Sequence, residues 1–121
     1  MGLGPRQEDT AAVELDPVVT NPEHYSVLFE NDEVRVLEYN DRPGDRTTPH
    51  DHPDSVMYSL SDIRRRLVAG DHQRDVDIPA GTVNWVPAQR HSGENTGDTP
   101  SRAIFVELKR AGQAPRGEAL G

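Results

Sequence analysis

The sequence predicts an all-β protein, a barrel of two packed antiparallel sheets. Three observations carry that expectation. Turn signals recur every six to twelve residues, in the spacing of short strands. No segment shows the 3.6-residue apolar period of an amphipathic helix. Three of the five histidines fall where a strand pair and a later returning strand would bring them to one point inside a barrel.

Taken in order, residues 1 to 22 read as an arm or flexible tail, because Gly2, Gly4, Pro5, Pro17 and Pro22 stand among many acids. The barrel domain is expected over residues 23 to 110. Its strand-like runs are 25–29, 33–39, 47–52, 55–60, 63–68, 73–78, 82–86 and 102–109. Asn31-Asp32, Arg42-Pro43-Gly44, Ser61-Asp62, Gly70-Asp71 and Pro79-Ala80-Gly81 punctuate them, and Asn95-Thr96-Gly97-Asp98 makes the last turn. Residues 111 to 121 read as a disordered tail.

Composition bounds the function. A chain of 121 residues has room for one core. A net charge of −8 argues against nucleic-acid and anionic-membrane partners, which need a basic footprint. With no cysteine, disulfides and thiolate ligands are excluded. No apolar run approaches a membrane span and no charged-then-apolar signal opens the chain, so a cytoplasmic location is expected. A homodimer is expected too, since a small barrel leaves edges that a partner can cover.

The chemistry is concentrated in two blocks. In Thr47-Thr-Pro-His50-Asp51-His52, residues two apart on a strand share a face, so His50 and His52 present two imidazoles together while Asp51 points away. His91 follows about forty residues later in Trp85-Val-Pro87-Ala-Gln-Arg-His91. Three neutral imidazoles suit a divalent metal: iron first, with zinc, nickel or manganese as alternatives.

The two blocks resemble the two motifs of the cupin superfamily. Gly44, His50 and His52 match the first, and Gly81, Pro87, His91 and Asn95 match the second. The resemblance covers about residues 25 to 109 and implies a jelly-roll-like double-stranded β-helix with the histidines as metal ligands. Two departures stand out. Val56 and Met57 occupy the positions where the family's first motif carries a glutamate ligand. Gln89 replaces a usual glycine, and the second motif is one residue shorter before its histidine. A three-histidine set without glutamate resembles that of the thiol dioxygenases and the β-diketone-cleaving dioxygenases.

Other residues are weighed against this site. By strand parity Val56 would face inward with the histidines, joined by Tyr58 and Leu60. Tyr58 reads as a hydrogen-bonding pocket residue or as core with a satisfied hydroxyl. Trp85 reads as core, interface or pocket wall. Arg65 shares a face with Ile63 and Leu67. If that face is buried, Arg65 needs an anion, from this protein or from a substrate; otherwise the Arg64-Arg65-Arg66 run is solvated or dimer-facing. Asp51 is a surface acid or a partner that orients an imidazole. Glu94, near His91, is an exposed strand-end acid or a candidate for a fourth ligand or a base.

Three neutral histidines leave a divalent ion its full charge and open positions for a bidentate organic anion. The leading expectation is a ferrous dioxygenase acting on a small chelating organic anion. The alternatives are a redox-neutral metal-dependent cyclase, isomerase or lyase, and a non-catalytic small-molecule binder.

Overall fold

Across residues 15–109, which the computed structural model describes, nine β-strands follow one helical turn. The turn, α1 (Pro17–Thr20), starts where Asp16 caps it by accepting the Val18 N–H at 2.9 Å, with Pro17 pre-set for the first helical position. It stops at Asn21, whose side chain is fully buried and accepts the Thr48 N–H at 2.9 Å. Pro17 is buried and Val18 packs against the core. Leu15 accepts from the Asp51 N–H. Residues 15–22 therefore belong to the folded body, although their proline and acid content reads as an arm. The rest of the expected arm and the expected tail at 111–121 lie outside the described residues.

The strands are β1 (Tyr25–Glu30), β2 (Val34–Asp41), β3 (His50–His52), β4 (Ser55–Ser59), β5 (Ile63–Ala69), β6 (His72–Ile78), β7 (Val83–Val86), β8 (Gln89–Asn95) and β9 (Ser101–Leu108). They form a five-stranded sheet in the order β1-β2-β9-β4-β7 and a four-stranded sheet in the order β3-β8-β5-β6, every pairing antiparallel. Gly44 and Gly81, the first residues of the two motifs, have φ of 87° and 82°, the left-handed region that glycine enters without strain. β8 is the strand that propensity misses. Gln-Arg-His-Ser-Gly-Glu-Asn has no β-branched or aromatic residue, and pairing with β3 and β5 imposes the extended form.

The inner faces meet around Leu37, Tyr39, Met57, Ile63, Ala103 and Phe105. On β4 the inward residues are Ser55, Met57 and Ser59, while Val56 is half-buried and Tyr58 exposed on the outer face. The parity carried forward from His52 fails because the chain changes sheets at Pro53-Asp54. β3 pairs in one sheet and β4 in the other, so the alternation restarts out of phase.

The outer face of the five-stranded sheet carries an apolar row across its whole width. Phe29, Val36, Val106, Val56 and Trp85 form one paired row, with Ile104, Tyr58 and Val83 in the next. No helix among the described residues is long and apolar enough to cross a membrane.

Candidate metal centre

β3 and β8 pair so that His50 lies opposite His91 and His52 opposite Gln89. The register brings the three imidazoles into a nearly equilateral triangle, with ring centroids 4.9, 5.0 and 4.9 Å apart. One ligand nitrogen from each lies within 4.8 Å of the others, the one such group of histidines and carboxylates among the described residues.

The surroundings indicate which nitrogens are free. His50 Nδ1 is 2.6 Å from the Thr48 carbonyl, an acceptor, so this nitrogen carries the proton. His91 Nδ1 is 2.8 Å from Gln89 Oε1, and the Gln89 amide is oriented by its own donation to the Pro87 carbonyl at 3.0 Å. His52 Nδ1 faces the Glu107 carboxylate at 3.7 Å. Each ring thus has an oxygen on its Nδ1 side, which leaves the Nε2 lone pairs for a shared cation. The Tyr25 hydroxyl points into the same space, 3.4 Å from His50 Nε2 and 3.3 Å from His52 Nε2.

Burial sets the protonation. Desolvation, with neighbouring imidazoles and Arg65 adding to it, lowers the pKa of His50 to about 4 and that of His91 to about 3. Both rings are therefore neutral at neutral pH, the form that binds metal. Burial also raises the Tyr25 phenol well above its ordinary range, keeping it a neutral hydrogen-bond donor. A buried set of imidazoles, each with an oxygen on its Nδ1 side, fits a divalent borderline cation.

The centre opens onto a cavity of about 570 Å³ bordered by His50, His91, Tyr25, Tyr39, Met57, Ile63, Leu67 and Phe105. Arg65, Arg74 and Asp77 are its charged lining, and Arg65 is the least exposed of the three. Arg65 Nη1 donates to Asp41 Oδ2 at 3.0 Å, and the guanidinium lies 5.1 Å from the Tyr39 ring centroid. Asp41 also accepts from the Tyr39 hydroxyl and from Asn95 Nδ2. Arg65 does share the buried face of Ile63, and the anion beside it is a carboxylate of this protein. One wall of the site is thus a pre-formed cation.

The remaining sequence candidates separate. Val56 and Tyr58 lie on the outer face, and Met57 takes the inward position on the cavity wall. Trp85, on edge strand β7, is half exposed yet borders the cavity. Glu94 alternates outward from His91 and Gly93 and faces Arg46 at 3.7 Å, so it is not grouped with the imidazoles. Asp51 pairs with Arg90 at 2.7 Å on the outside. The residues that sequence reasoning missed are Tyr25, Asp41 and Glu107. Gln89 was visible only as a departure from the motif. Nothing local marks them, since each reaches the site through long-range strand pairing.

No known protein-family model matches the chain, and no curated protein sequence is significantly similar to it. Solved structures are similar in fold. A cupin domain from Bordetella pertussis Tohama I superposes with a TM-score of 0.66 at 24% identity, covering 70% of this chain and 91% of that one. A double-stranded β-helix protein from Klebsiella pneumoniae gives 0.56 at 24% identity, covering 73% and 78%. The polyketide cyclase RemF from Streptomyces resistomycificus gives 0.56 at 21% identity, covering 71% and 64%. Nine strands in two antiparallel sheets, with a three-histidine cluster between them, give this chain the double-stranded β-helix fold of the cupins.

Proposed function

We propose that the chain is a metal-dependent enzyme in which His50, His52 and His91 hold one divalent ion, iron first, and a small chelating organic anion binds beside it. The observation that carries the reading is the convergence of three imidazoles on a largely apolar cavity with the Arg65 guanidinium in its wall. The bound metal would supply a Lewis-acid centre for a chelating oxygen pair and, as ferrous iron, the electrons for dioxygen chemistry. The protein's own residues do the rest. Arg65 gives one of its five N–H donors to Asp41 and offers others to the ligand's negative oxygen. The Tyr25 hydroxyl, released from the imidazoles, donates to an oxygen of the ligand. Met57, Leu67 and Phe105 exclude water, which strengthens these polar contacts.

On this reading the leading activity is that of a ferrous dioxygenase. A second reading, a redox-neutral cyclase, isomerase or lyase, draws support from two observations. The cavity of about 570 Å³ exceeds the needs of a two-oxygen chelator alone. The fold also superposes on that of a polyketide cyclase. Oxygen uptake by the anaerobically iron-loaded protein, screened with β-diketones, thiols and hydroxy acids, separates the two. Substrate loss matched by oxygen consumption supports the dioxygenase, and conversion without oxygen consumption supports the redox-neutral reading. The proposal also includes a homodimer closed through the outer face of the five-stranded sheet, whose Phe29, Tyr58, Val83 and Trp85 are exposed.

A further inference from the structure

Two of the three Nδ1 contacts in the metal centre are closed hydrogen bonds, and the third is open. His52 Nδ1 and Glu107 Oε2 stand 3.7 Å apart. They are also the buried side-chain polar atoms that lack a hydrogen-bond partner among the described residues. Neither reaches solvent: the side chains of His52 and Glu107 are 0% and 4% exposed. Two unsatisfied atoms facing each other in a buried position need an explanation. The rest of Glu107 is anchored. Its Oε1 accepts from Arg35 Nε at 2.9 Å, and Arg35 holds Asp16 through Nη1 and Nη2, each at 2.9 Å. On its other side the His52 ring stacks on Phe105 at 5.2 Å. The carboxylate is thus tethered from outside with one oxygen aimed at the imidazole.

We infer that Glu107 is the positioning residue of the metal centre: its free oxygen holds the Nδ1 proton of His52, so that the Nε2 lone pair is presented to the cation. The inference rests on the three-histidine reading above. Cation binding at Nε2 makes the Nδ1–H a stronger donor, which draws the open contact closed, so metal and carboxylate reinforce each other. It also answers the missing glutamate ligand. The Asp16–Arg35–Glu107 chain carries one net negative charge and delivers it to the centre through one ring, where the inward residues of β4, Ser55, Met57 and Ser59, offer no carboxylate.

The test begins with ¹⁵N spectra of the histidine-labelled, metal-free protein, which read the tautomer of His52 directly. The expected result is the Nδ1–H form. In Glu107→Gln, which preserves shape, Arg35 claims the single amide oxygen and the NH₂ group turns toward His52. His52 should then switch to the Nε2–H form, and zinc affinity should fall about 10–100-fold. A wild-type His52 protonated on Nε2, or a Glu107→Gln variant with unchanged tautomer, overturns the inference. If that variant does not fold, the wild-type spectrum still decides. Failure of the wild type to bind zinc would instead refute the three-histidine reading, and the tautomer result would stand apart from it.

Discussion

Replacing Gly93 by alanine should destabilise this protein, against the general trend. Gly93 lies on β8 with no positive φ, so backbone entropy alone favours alanine by about 0.4–1 kcal/mol. The space argues otherwise. A Cβ there would stand 2.5 Å from Arg65 Nη2, 2.9 Å from Nε and 3.1 Å from Cζ. Ordinary contact would require the guanidinium to retreat by about 1 Å. Its freedom to do so is small, because Arg65 is pinned to Asp41, whose side chain is 0% exposed. Breaking a buried ion pair costs about 3–5 kcal/mol; about 3 is expected, since Asp41 keeps its bonds from Tyr39 and Asn95. Urea unfolding at neutral pH measures the change, with the m-value as a check that compactness is unaltered. In an Arg65→Met background the same glycine substitution should cost nothing, giving a coupling of about 3 kcal/mol. A Gly93→Ala protein as stable as wild type, or an equal loss in both backgrounds, would refute the contact.

Further outcomes follow from the site and the outer face. Met57→Glu should place a carboxylate on the cavity wall, weakening the metal-free protein by several kcal/mol while tightening metal binding, whereas Val56→Glu, outside the barrel, should leave metal affinity unchanged by isothermal titration. The metal-free protein should lose stability on mild acidification. The unfolded chain takes up protons below pH 6.5, which His50 and His91 refuse until about pH 4 and about pH 3, so stability is full above 6.5 and falls below it. Both groups together should cost about 3 kcal/mol between pH 6.5 and pH 5, and urea titrations without that slope would contradict the buried neutral rings. Tyr58→Lys combined with Val83→Lys should convert a dimer to a monomer in light scattering without loss of circular dichroism.

The legible part of this fold was its punctuation. Gly44 and Gly81 mark left-handed turns by residue type alone, and the His50-Asp51-His52 alternation is a property of any extended segment. What lay out of reach depended on which sheet a strand joins. Val56 and Met57 exchange roles because two residues carry the chain from one sheet to the other, a break in phase that no local pattern records. β8 is polar throughout and becomes a strand only between β3 and β5. Glu107 lies in a run whose alternation is visible, yet its facing on His52 requires β9 to sit between β2 and β4. Arg65 shows the intermediate case: its face could be read, and its partner Asp41 could not.

The most direct measurement is metal content per chain after loading with ferrous, cobaltous or zinc ion, for wild type and for single alanine variants at His50, His52 and His91. About one ion per wild-type chain is expected, with most of it lost in each variant while the β-sheet circular dichroism persists. Full stoichiometric metal in His91→Ala, or none in the wild type, would contradict a centre built from these three imidazoles.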